Sequence, residues 1–295
     1  MKVEQNTPLI EVLSVMFDKS SRRTIRKMLT DGRVIVDGEI IHKAQFEVEA
    51  GKIVEIVSKA KAIEENPPPR TKNRFNYKLD ILHEDEHLLI VNKPEGLLSV
   101  ATDKMEPDTL HSRCIDYLRE EDSNSWCHIV HRLDRETSGV MILAKGKWQK
   151  EALQEQFADR SIHRVYHALV EGKPEKNQGT SRMYLYEDRN LRVKKTKKST
   201  KGAKEAITHW RVEDSDDFHS VIHIIIETGR RHQIRMAMRE LGCPVVGDET
   251  HGSEQDPGRL YLHASSLEFL HPENDDPVRF ESPIPFITKR SSRPQ

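Results

Sequence analysis

Residues 131–139 have the sequence His-Arg-Leu-Asp-Arg-Glu-Thr-Ser-Gly and lie between two apolar runs, 128–130 and 140–144. Short β-branched runs bounded by polar residues and glycine are typical of strands, so we expect a polar loop at the end of a sheet, where functional residues commonly collect. Its aspartate, Asp134, has an arginine close by on either side. Such a carboxylate is either half of an ordinary ion pair or a group kept ionised for chemistry, and ordinary pairs are more common. The loop alone therefore favours an ion pair.

The composition is that of a globular protein. The chain has 295 residues, of which 32% are charged, which leaves room for one large domain and one small one. The first residues are polar and no apolar run approaches the length of a membrane span, which predicts a cytoplasmic protein. No long apolar surface suggests self-association, so we expect a monomer.

Cysteine and histidine spacing gives no sign of a metal. Cys114, Cys127 and Cys243 are scattered without paired spacing, which argues against a disulfide framework or a zinc ribbon and fits reduced thiols. The 15 histidines include no helical pair at ligand spacing and none with a cysteine partner. The sequence therefore predicts no metal site.

Positive charge is unevenly distributed along the chain. The formal net charge of −1 would disfavour a nucleic-acid partner, but localised basic stripes can bind phosphates on a neutral protein. One stripe lies at 22–27, a second at 189–204 has eight Lys/Arg and no acid, and a third lies at 230–239. The second stripe is interpreted as a phosphate-contacting loop, with a solvated loop as the open alternative. The residues expected to contact RNA are Arg22, Arg23, Arg26, Lys27, Arg132, Lys194, Lys195 and Arg230.

Residues 1–60 have the pattern of a separate unit, with two short helices followed by extended segments. Apolar residues at 9, 12, 13 and 16 predict one helix face, and those at 25, 28 and 29 predict a second. Ser20-Ser21 is placed to cap the second helix, whose basic residues fall on the exposed side. The run 34–41 predicts a hairpin on the Asp37-Gly38 turn.

Residues 20–39 resemble the S4 RNA-binding domain, through a basic helix followed by Asp-Gly-Arg-Val. The resemblance implies a small α/β domain whose helix presents point charges and guanidinium groups to an RNA backbone, with salt-dependent affinity and little base specificity. A solvated helix face is the alternative. Residues 61–77, with three consecutive prolines and no apolar period, are predicted to form a semi-rigid linker to a second domain at 78–295.

The second domain mixes predicted strands and helices. Apolar runs at 88–91, 164–170 and 221–226 predict strands, and the patterns at 109–118, 148–157 and 228–241 predict helices. The two-residue period places Arg164 and Tyr166 on one strand face, where a lone tyrosine is more often a packing residue than a catalyst.

Two further features of this domain have ordinary interpretations. Arg231, Arg235 and Arg239 share a face of the last helix, and such a row is usually solvent-exposed. The segment 92–99, which contains Lys93-Pro94 and Gly96, is interpreted as a plain strand–turn connection.

Three stretches together are similar to the RluA-type pseudouridine synthase family: 131–139, the step Arg164-Val165-Tyr166, and 228–235 with the sequence Thr-Gly-Arg-Arg-His-Gln-Ile-Arg. Shorter matches occur in order at 93–97, 244–248, 262–264 and 271–272. His131 before Arg-Leu-Asp, where the related RsuA-type enzymes usually have glycine, favours the RluA-type branch. The resemblance runs from about residue 80 to the end. With an S4-like unit in front, the chain is similar to the members that act on large ribosomal RNA.

The resemblance implies an α+β fold with a mixed, mostly antiparallel sheet, and isomerisation of a uridine within RNA without cofactor or metal. The N-glycosidic bond breaks, the base turns and a carbon–carbon bond forms. By match to the motifs, Asp134 is the essential carboxylate and acts on the ribose carbon or removes its 2′ hydrogen. Tyr166 would stack on the uracil and assist proton removal. Arg235 would pair with Asp134 and keep it ionised, and Arg132 would help hold the base out of its helix.

The chain departs from the family at Ala237, where a histidine is common, so any polar contact from that position is in doubt. Other functions also stay open. The substrate could be transfer RNA, or the chain could be a non-catalytic RNA-binding or ribosome assembly factor of the same fold. A carboxylate-dependent glycosidase would need a second, opposed carboxylate, and nothing in the sequence marks Glu136 as one.

Overall fold

The computed structural model describes residues 1–18, 20–21, 24–25, 28–29, 33–41, 43–57, 78–102, 106–188 and 192–286. Contacts within the chain divide it into two compact units, Met1–Phe75 and Asn76–Gln295. Two predictions lie outside the described residues. They are the proline-rich linker at 61–77 and the basic helix face formed by Arg22, Arg23, Arg26 and Lys27.

The first unit contains one complete described helix and five short strands. They are α1 (Leu9–Met16), β1 (Thr7–Pro8), β2 (Val34–Val36), β3 (Glu39–Ile40), β4 (Glu47–Val48) and β5 (Val54–Ile56). Strand β2 lies between β3 and β5, and β1 pairs with β4. The predicted hairpin is confirmed: Asp37 and Gly38 have φ values of 48° and 86°, the left-handed pair that a tight two-residue turn requires.

Apolar spacing also predicted the buried side of this unit. Leu9, Val12 and Leu13 of α1 are buried together with the later apolar positions Ile25, Met28 and Leu29. Ser21 Oγ accepts the backbone N–H of Thr24 at 3.2 Å, which is the hydrogen bond of a helix N-cap.

The described residues of the second unit form three helices and eleven strands. The helices are α2 (Leu110–Glu121), α3 (Lys147–Ala158) and α4 (Gln233–Glu240). The strands are β6 (Ile81–Glu84), β7 (Leu88–Lys93), β8 (His128–Ile129), β9 (Ser138–Ala144), β10 (His163–Glu171), β11 (Gln178–Glu187), β12 (Val193–Thr196), β13 (Lys204–Ser215), β14 (His219–Ile226), β15 (Leu262–Leu270) and β16 (Pro277–Glu281).

All eleven strands belong to one sheet. Its main order is β12-β11-β13-β14-β10-β15-β9-β7-β6, with β16 beside β15 and β8 beside β9. Strands β9 and β15 run parallel, and the other pairings described for this sheet are antiparallel. The predicted α+β fold with a mixed, mostly antiparallel sheet is therefore confirmed.

Strand β9 is the centre of this unit because it is buried along its whole length. One face of the sheet packs against α2 and α4. Residues Val140 and Ile142 of β9 face a second cluster that includes Leu153 of α3. The stretch 130–137 connects β8 to β9, which pair with each other, so the predicted loop at a sheet end is confirmed.

Two sequence interpretations need correction here. The basic segment 189–204 is not simply a loop, because Val193–Thr196 form the edge strand β12 against β11. The last helix begins at Gln233 rather than in the stretch from Thr228, because Thr228 and Arg230 bond to the Gln233 side chain instead of starting a helical turn. No helix among the described residues has the length and apolar character needed to cross a membrane.

Candidate active site

A cavity of about 1580 Å³ opens beside the loop 131–137. Its lining includes Asp134, Tyr166 and Arg235, so the fold brings the three predicted catalytic residues to one cavity. Ten arginines and lysines but only four acidic residues line it. A chain with almost no net charge thus has a cationic cavity, which suits a phosphate-bearing ligand.

The loop is anchored on both sides of Asp134 by buried polar side chains. Ser99 Oγ donates to the carbonyl of Leu133 at 2.7 Å and accepts its N–H at 3.1 Å. Lys93 Nζ donates to the carbonyl of Arg135 at 3.0 Å. The backbone on either side of the aspartate is therefore fixed from the segment 93–99.

Lys93 is fully buried, which is unusual for a lysine. Its three ammonium donors are matched by three carbonyls, those of Pro94, Leu97 and Arg135. Burial lowers the pKa of Lys93 to about 7, against the opposing effect of nearby carboxylates, of which Glu136 is the strongest. The segment interpreted from sequence as a plain turn is therefore the support of the acidic loop.

Gly139 fixes the position where the loop enters the sheet. Its φ is +120°, and a Cβ built there would lie 2.1 Å from the carbonyl oxygen of Ala264 on β15. Only glycine allows β9 and β15 to approach so closely.

Arg235 is not paired as the sequence predicted. Its Nε and Nη2 atoms donate to the two carboxylate oxygens of Asp248 at 2.7 and 2.6 Å, and no ion pair with Asp134 lies within 4.0 Å. The reason is local geometry: the segment after α4 returns to the helix and brings Asp248, itself 1% exposed, onto the guanidinium edge. Arg235 is also only 4% exposed, which corrects its assignment to a solvent-facing row.

The remaining end of Arg235 is directed toward the acidic loop. Its Nη1 atom is buried, makes no hydrogen bond to any described residue, and lies 3.7 Å from Glu136 Oε2. Burial lowers the pKa of Arg235, but the hydrogen bonds that it donates to Asp248 raise it, and the charges of Asp134 and Glu136 add to this. Asp134 thus acts on Arg235 through charge without a direct contact, and the two N–H groups of Nη1 make no hydrogen bond to the described residues.

Tyr166 lies on β10 between β14 and β15, at a β-bulge relative to β15. Its side chain is 8% exposed. Burial raises the pKa of Tyr166, the nearby Arg164 lowers it, and Asp134 raises it. The hydroxyl makes no hydrogen bond to any described residue. Tyr166 therefore offers a neutral phenol to the cavity at neutral pH.

Arg164 and His131 form a rigid wall beside the loop. Arg164 Nη2 donates to the carbonyl of Glu227 at 2.9 Å, and its guanidinium lies 5.3 Å from the Phe157 ring centre. His131 stacks on the same phenylalanine at 5.0 Å, and its Nε2 accepts the N–H of Ile142. Burial lowers the pKa of His131 to about 3, and the charge of Arg164 adds to the effect.

The predicted RNA-contacting residues of this unit fall into two groups. Arg132, Lys194 and Arg230 are exposed and line the cavity. Lys195 does not line it, because alternate residues of β12 face opposite sides and its ammonium pairs with Glu240 of α4. Lys194 pairs with Asp188 at 2.9 Å and Arg230 donates to the carbonyl of Glu205, whereas Arg132 has no hydrogen-bonded partner among the described residues.

Sequence reasoning missed Asp248, Lys93 and Ser99 as parts of this site. In the sequence, each of the three was noted only as part of a match to the family or as part of a turn. All three are buried, and no apolar pattern predicted their burial. The signals present in the sequence were a lysine shortly after the apolar run 88–91 and an aspartate directly after Gly247. Ala237, at the position where the family often has histidine, is fully buried in the core, and its methyl side chain can make no polar contact.

Comparison with known proteins agrees with this fold. Residues 87–240 match the RNA pseudouridylate synthase family, and residues 7–54 match the S4 domain. The dual-specificity RNA pseudouridine synthase RluA of Vibrio cholerae is 37% identical over 200 residues, which are 66% of this chain and 79% of that protein. The ribosomal large subunit pseudouridine synthase D of Xanthomonas campestris is 30% identical over 293 residues, covering 93% of this chain and 84% of that protein.

A solved structure is also similar. Human RNA pseudouridylate synthase domain containing 1 superimposes with a TM-score of 0.57 at 26% identity, over 71% of this chain and 85% of that chain. The fold and cavity thus define an enzyme that acts on RNA. The chain belongs to the RNA pseudouridylate synthase family, with an S4 domain before the catalytic part.

Proposed function

We propose that the protein isomerises specific uridines in large-subunit ribosomal RNA, with Asp134 as the catalytic carboxylate. The observation that carries the proposal is the placement of Asp134, on a doubly anchored loop at the edge of a cationic cavity that Tyr166 and Arg235 also line. A carboxylate held on a rigid backbone and surrounded by cations is suited to act on a sugar attached to a phosphate chain.

The uridine must first leave its base-paired stack, since a sugar carbon inside a helix cannot meet a carboxylate. Base extrusion costs a few kcal/mol, and stacking in a protein pocket offsets that cost. Tyr166 would provide the stacking surface, and Arg132, exposed and unpaired among the described residues, would occupy the space the base leaves.

Asp134 would then either attack the ribose carbon or remove the 2′ hydrogen. Both routes need the ionised carboxylate. Arg235 brings its charge to the same cavity, and Asp248 fixes the guanidinium through two hydrogen bonds. The free Nη1 of Arg235 is available for an oxygen of the bound nucleotide. The raised pKa of Tyr166 favours a neutral phenol, so its part in proton removal would proceed without a standing phenolate.

The RNA target is inferred from the relatives and the domain order. One relative is named a ribosomal large subunit synthase and aligns over 93% of this chain. We assign residues 1–60 to RNA anchoring, 61–77 to a linker and 78–295 to catalysis. An enzyme of ribosomal RNA works where ribosomes are, so the proposal places the protein in the cytoplasm. Transfer RNA is the alternative substrate.

The test is a map of pseudouridines in ribosomal and transfer RNA by carbodiimide labelling, from cells with and without the protein. We expect at least one site in large-subunit RNA to disappear without the protein, and to return with the wild-type chain but not with Asp134→Asn. Loss of a pseudouridine only in transfer RNA would identify transfer RNA as the substrate instead. Restoration by Asp134→Asn would instead favour the non-catalytic assembly factor.

A further inference from the structure

A compact group of metal-binding side chains lies on the sheet face opposite the cavity. His167, Glu213 and His223 come from three adjacent strands, β10, β13 and β14. His167 and His223 are direct partners in the antiparallel register. One ligand atom from each of the three side chains lies within 4.8 Å of the other two.

The strand period explains why this group is separate from the candidate active site. Tyr166 and His167 are consecutive on β10, so their side chains point to opposite faces. Tyr166 belongs to the main core with Ile222 and Ile224, and His223 lies between those two on the other face. A ligand at this group would therefore sit directly behind Tyr166, without access to the cavity.

The contacts of His167 place its two ring nitrogens between a hydroxyl and a carboxylate. Nδ1 lies 2.7 Å from Ser265 Oγ, which also donates to the carbonyl of Val165 at 3.2 Å. The other ring nitrogen, Nε2, faces Glu213 Oε2 at 3.1 Å. In the tautomer whose Nδ1–H donates to Ser265, the Nε2 lone pair is directed at the carboxylate, where a cation between the two atoms would bind both.

We propose that His167, Glu213 and His223 bind a divalent metal ion of the zinc type. Two imidazoles and a carboxylate with a fourth, solvent-facing position form a donor set that Zn²⁺ prefers. Ligands around tetrahedral zinc lie roughly 3.3 Å apart at metal–ligand distances of about 2.0–2.2 Å. Binding of an ion would bring the three ligand atoms, now within 4.8 Å of one another, to that spacing.

The neighbours of the group have the arrangement expected of supporting contacts. Ser265 orients the His167 ring through its other nitrogen, as outer partners of metal-bound histidines do. Arg211 Nη2 donates to Glu213 Oε1 at 2.9 Å and leaves Oε2 for the ion. The Arg211 charge weakens cation binding, while the 29% exposure of the Glu213 side chain gives the ion an entry path. Bound metal would link β10, β13 and β14 on the sheet face opposite Tyr166.

The experiment is a zinc titration of the full-length, tag-free chain after chelator treatment, by calorimetry with ZnCl₂, followed by the visible spectrum with CoCl₂. We expect one Zn²⁺ per chain and a tetrahedral Co²⁺ spectrum. His223→Gln should weaken zinc binding by about 100-fold or more, and Ser265→Ala, which keeps all three ligands, by about 10–100-fold.

His209→Gln is the matched control, because His209 lies on β13 but bonds to Glu227 rather than to the group. It should leave zinc affinity unchanged. Absence of stoichiometric zinc binding would overturn the proposal and leave the 3.1 Å contact as an ordinary imidazolium–carboxylate pair. So would equal losses in His209→Gln and His223→Gln. The readout is metal affinity, so it does not depend on pseudouridine formation.

Discussion

The Arg235 guanidinium lies close to two carboxylates, one buried and one partly exposed. Asp248 is buried and holds two of its nitrogens, while Glu136 is 3.7 Å from the third with a side chain 49% exposed. A buried pair with good geometry fixes the orientation of the arginine, whereas an exposed contact contributes little. Asp248 is therefore a positioning residue for Arg235.

Asp248→Asn should lower both stability and turnover. It leaves the Arg235 charge buried without a full partner, so the free energy of unfolding should fall by about 3–5 kcal/mol. Glu136→Gln, the control, should change it by less than about 1 kcal/mol. Urea unfolding measures the change in stability, and the rate of pseudouridine formation measures the change in catalysis. Equal stability of the two variants would show that the Asp248 pair does not fix Arg235.

The family resemblance predicted which side chains meet in the site but not how they pair. The two-residue period of β10 indicated only the strand face of Tyr166, and the polar stretch between strands by itself favoured an ordinary ion pair for Asp134. The partner of Arg235 could not be predicted, since Asp248 is thirteen residues further on and reaches it through a turn whose path the sequence does not encode locally. The proposed metal ligands could not be predicted for the same reason, because they are neighbours across strands rather than along a helix.

At the scale of elements, the loop between β8 and β9 depends on the turn after β7. Lys93, the last residue of β7, donates a hydrogen bond to the carbonyl of Arg135, and Ser99 donates one to the carbonyl of Leu133. These contacts join segments more than thirty residues apart. Periodicity predicted β7 and β9, but it could not indicate that a lysine would be buried between them.

Lys93→Met should impair catalysis more than RNA binding. Three carbonyls lose their hydrogen-bond donor, so the loop that carries Asp134 is no longer held in place. Displacement of a reacting group by about 1 Å can lower the rate about 100-fold. We expect kcat to fall by that order, with KM nearly unchanged. Lys145→Met, at the far end of β9 where Lys145 pairs with Glu84, should leave kcat unaffected. A wild-type kcat for Lys93→Met would refute the anchoring role.

At the scale of the whole molecule, the two units differ in their tryptophan content. All three tryptophans lie in the second unit, so their fluorescence follows the unfolding of that unit alone. The same unit contains several histidines whose pKa burial lowers, to about 3 for His131 and His232 and about 4 for His263.

Acid should destabilise the second unit between about pH 6.5 and pH 4. The unfolded chain binds protons on these histidines near pH 6.5, whereas the folded unit does not until about pH 3 to 4, so stability falls as the pH falls through this range. The urea midpoint from tryptophan fluorescence should decrease from pH 7 to pH 4.5. The decrease should be smaller in His131→Gln, which cannot titrate, and unchanged in His163→Gln, an exposed position. An equal decrease in all three proteins would contradict this account.

The S4 domain should contribute salt-dependent affinity. Replacing Arg22, Arg23, Arg26 and Lys27 by glutamine in the full chain should reduce the slope of log affinity against log salt by about 3, because each phosphate contact contributes roughly 0.7–0.9. The rate at saturating RNA should be retained. Filter binding over a range of KCl concentrations measures the slope, and an unchanged slope would show that these four residues do not contact phosphate.

The most direct test of the central claim, catalysis by Asp134, is tritium release from RNA labelled at uridine C5. Joining C5 to the ribose removes its hydrogen, so each pseudouridine formed releases one tritium. We predict that wild-type protein releases tritium from ribosomal RNA of cells lacking the protein. Asp134→Asn, folded and still binding that RNA, should release none above background. Release by Asp134→Asn at the wild-type rate would contradict the account.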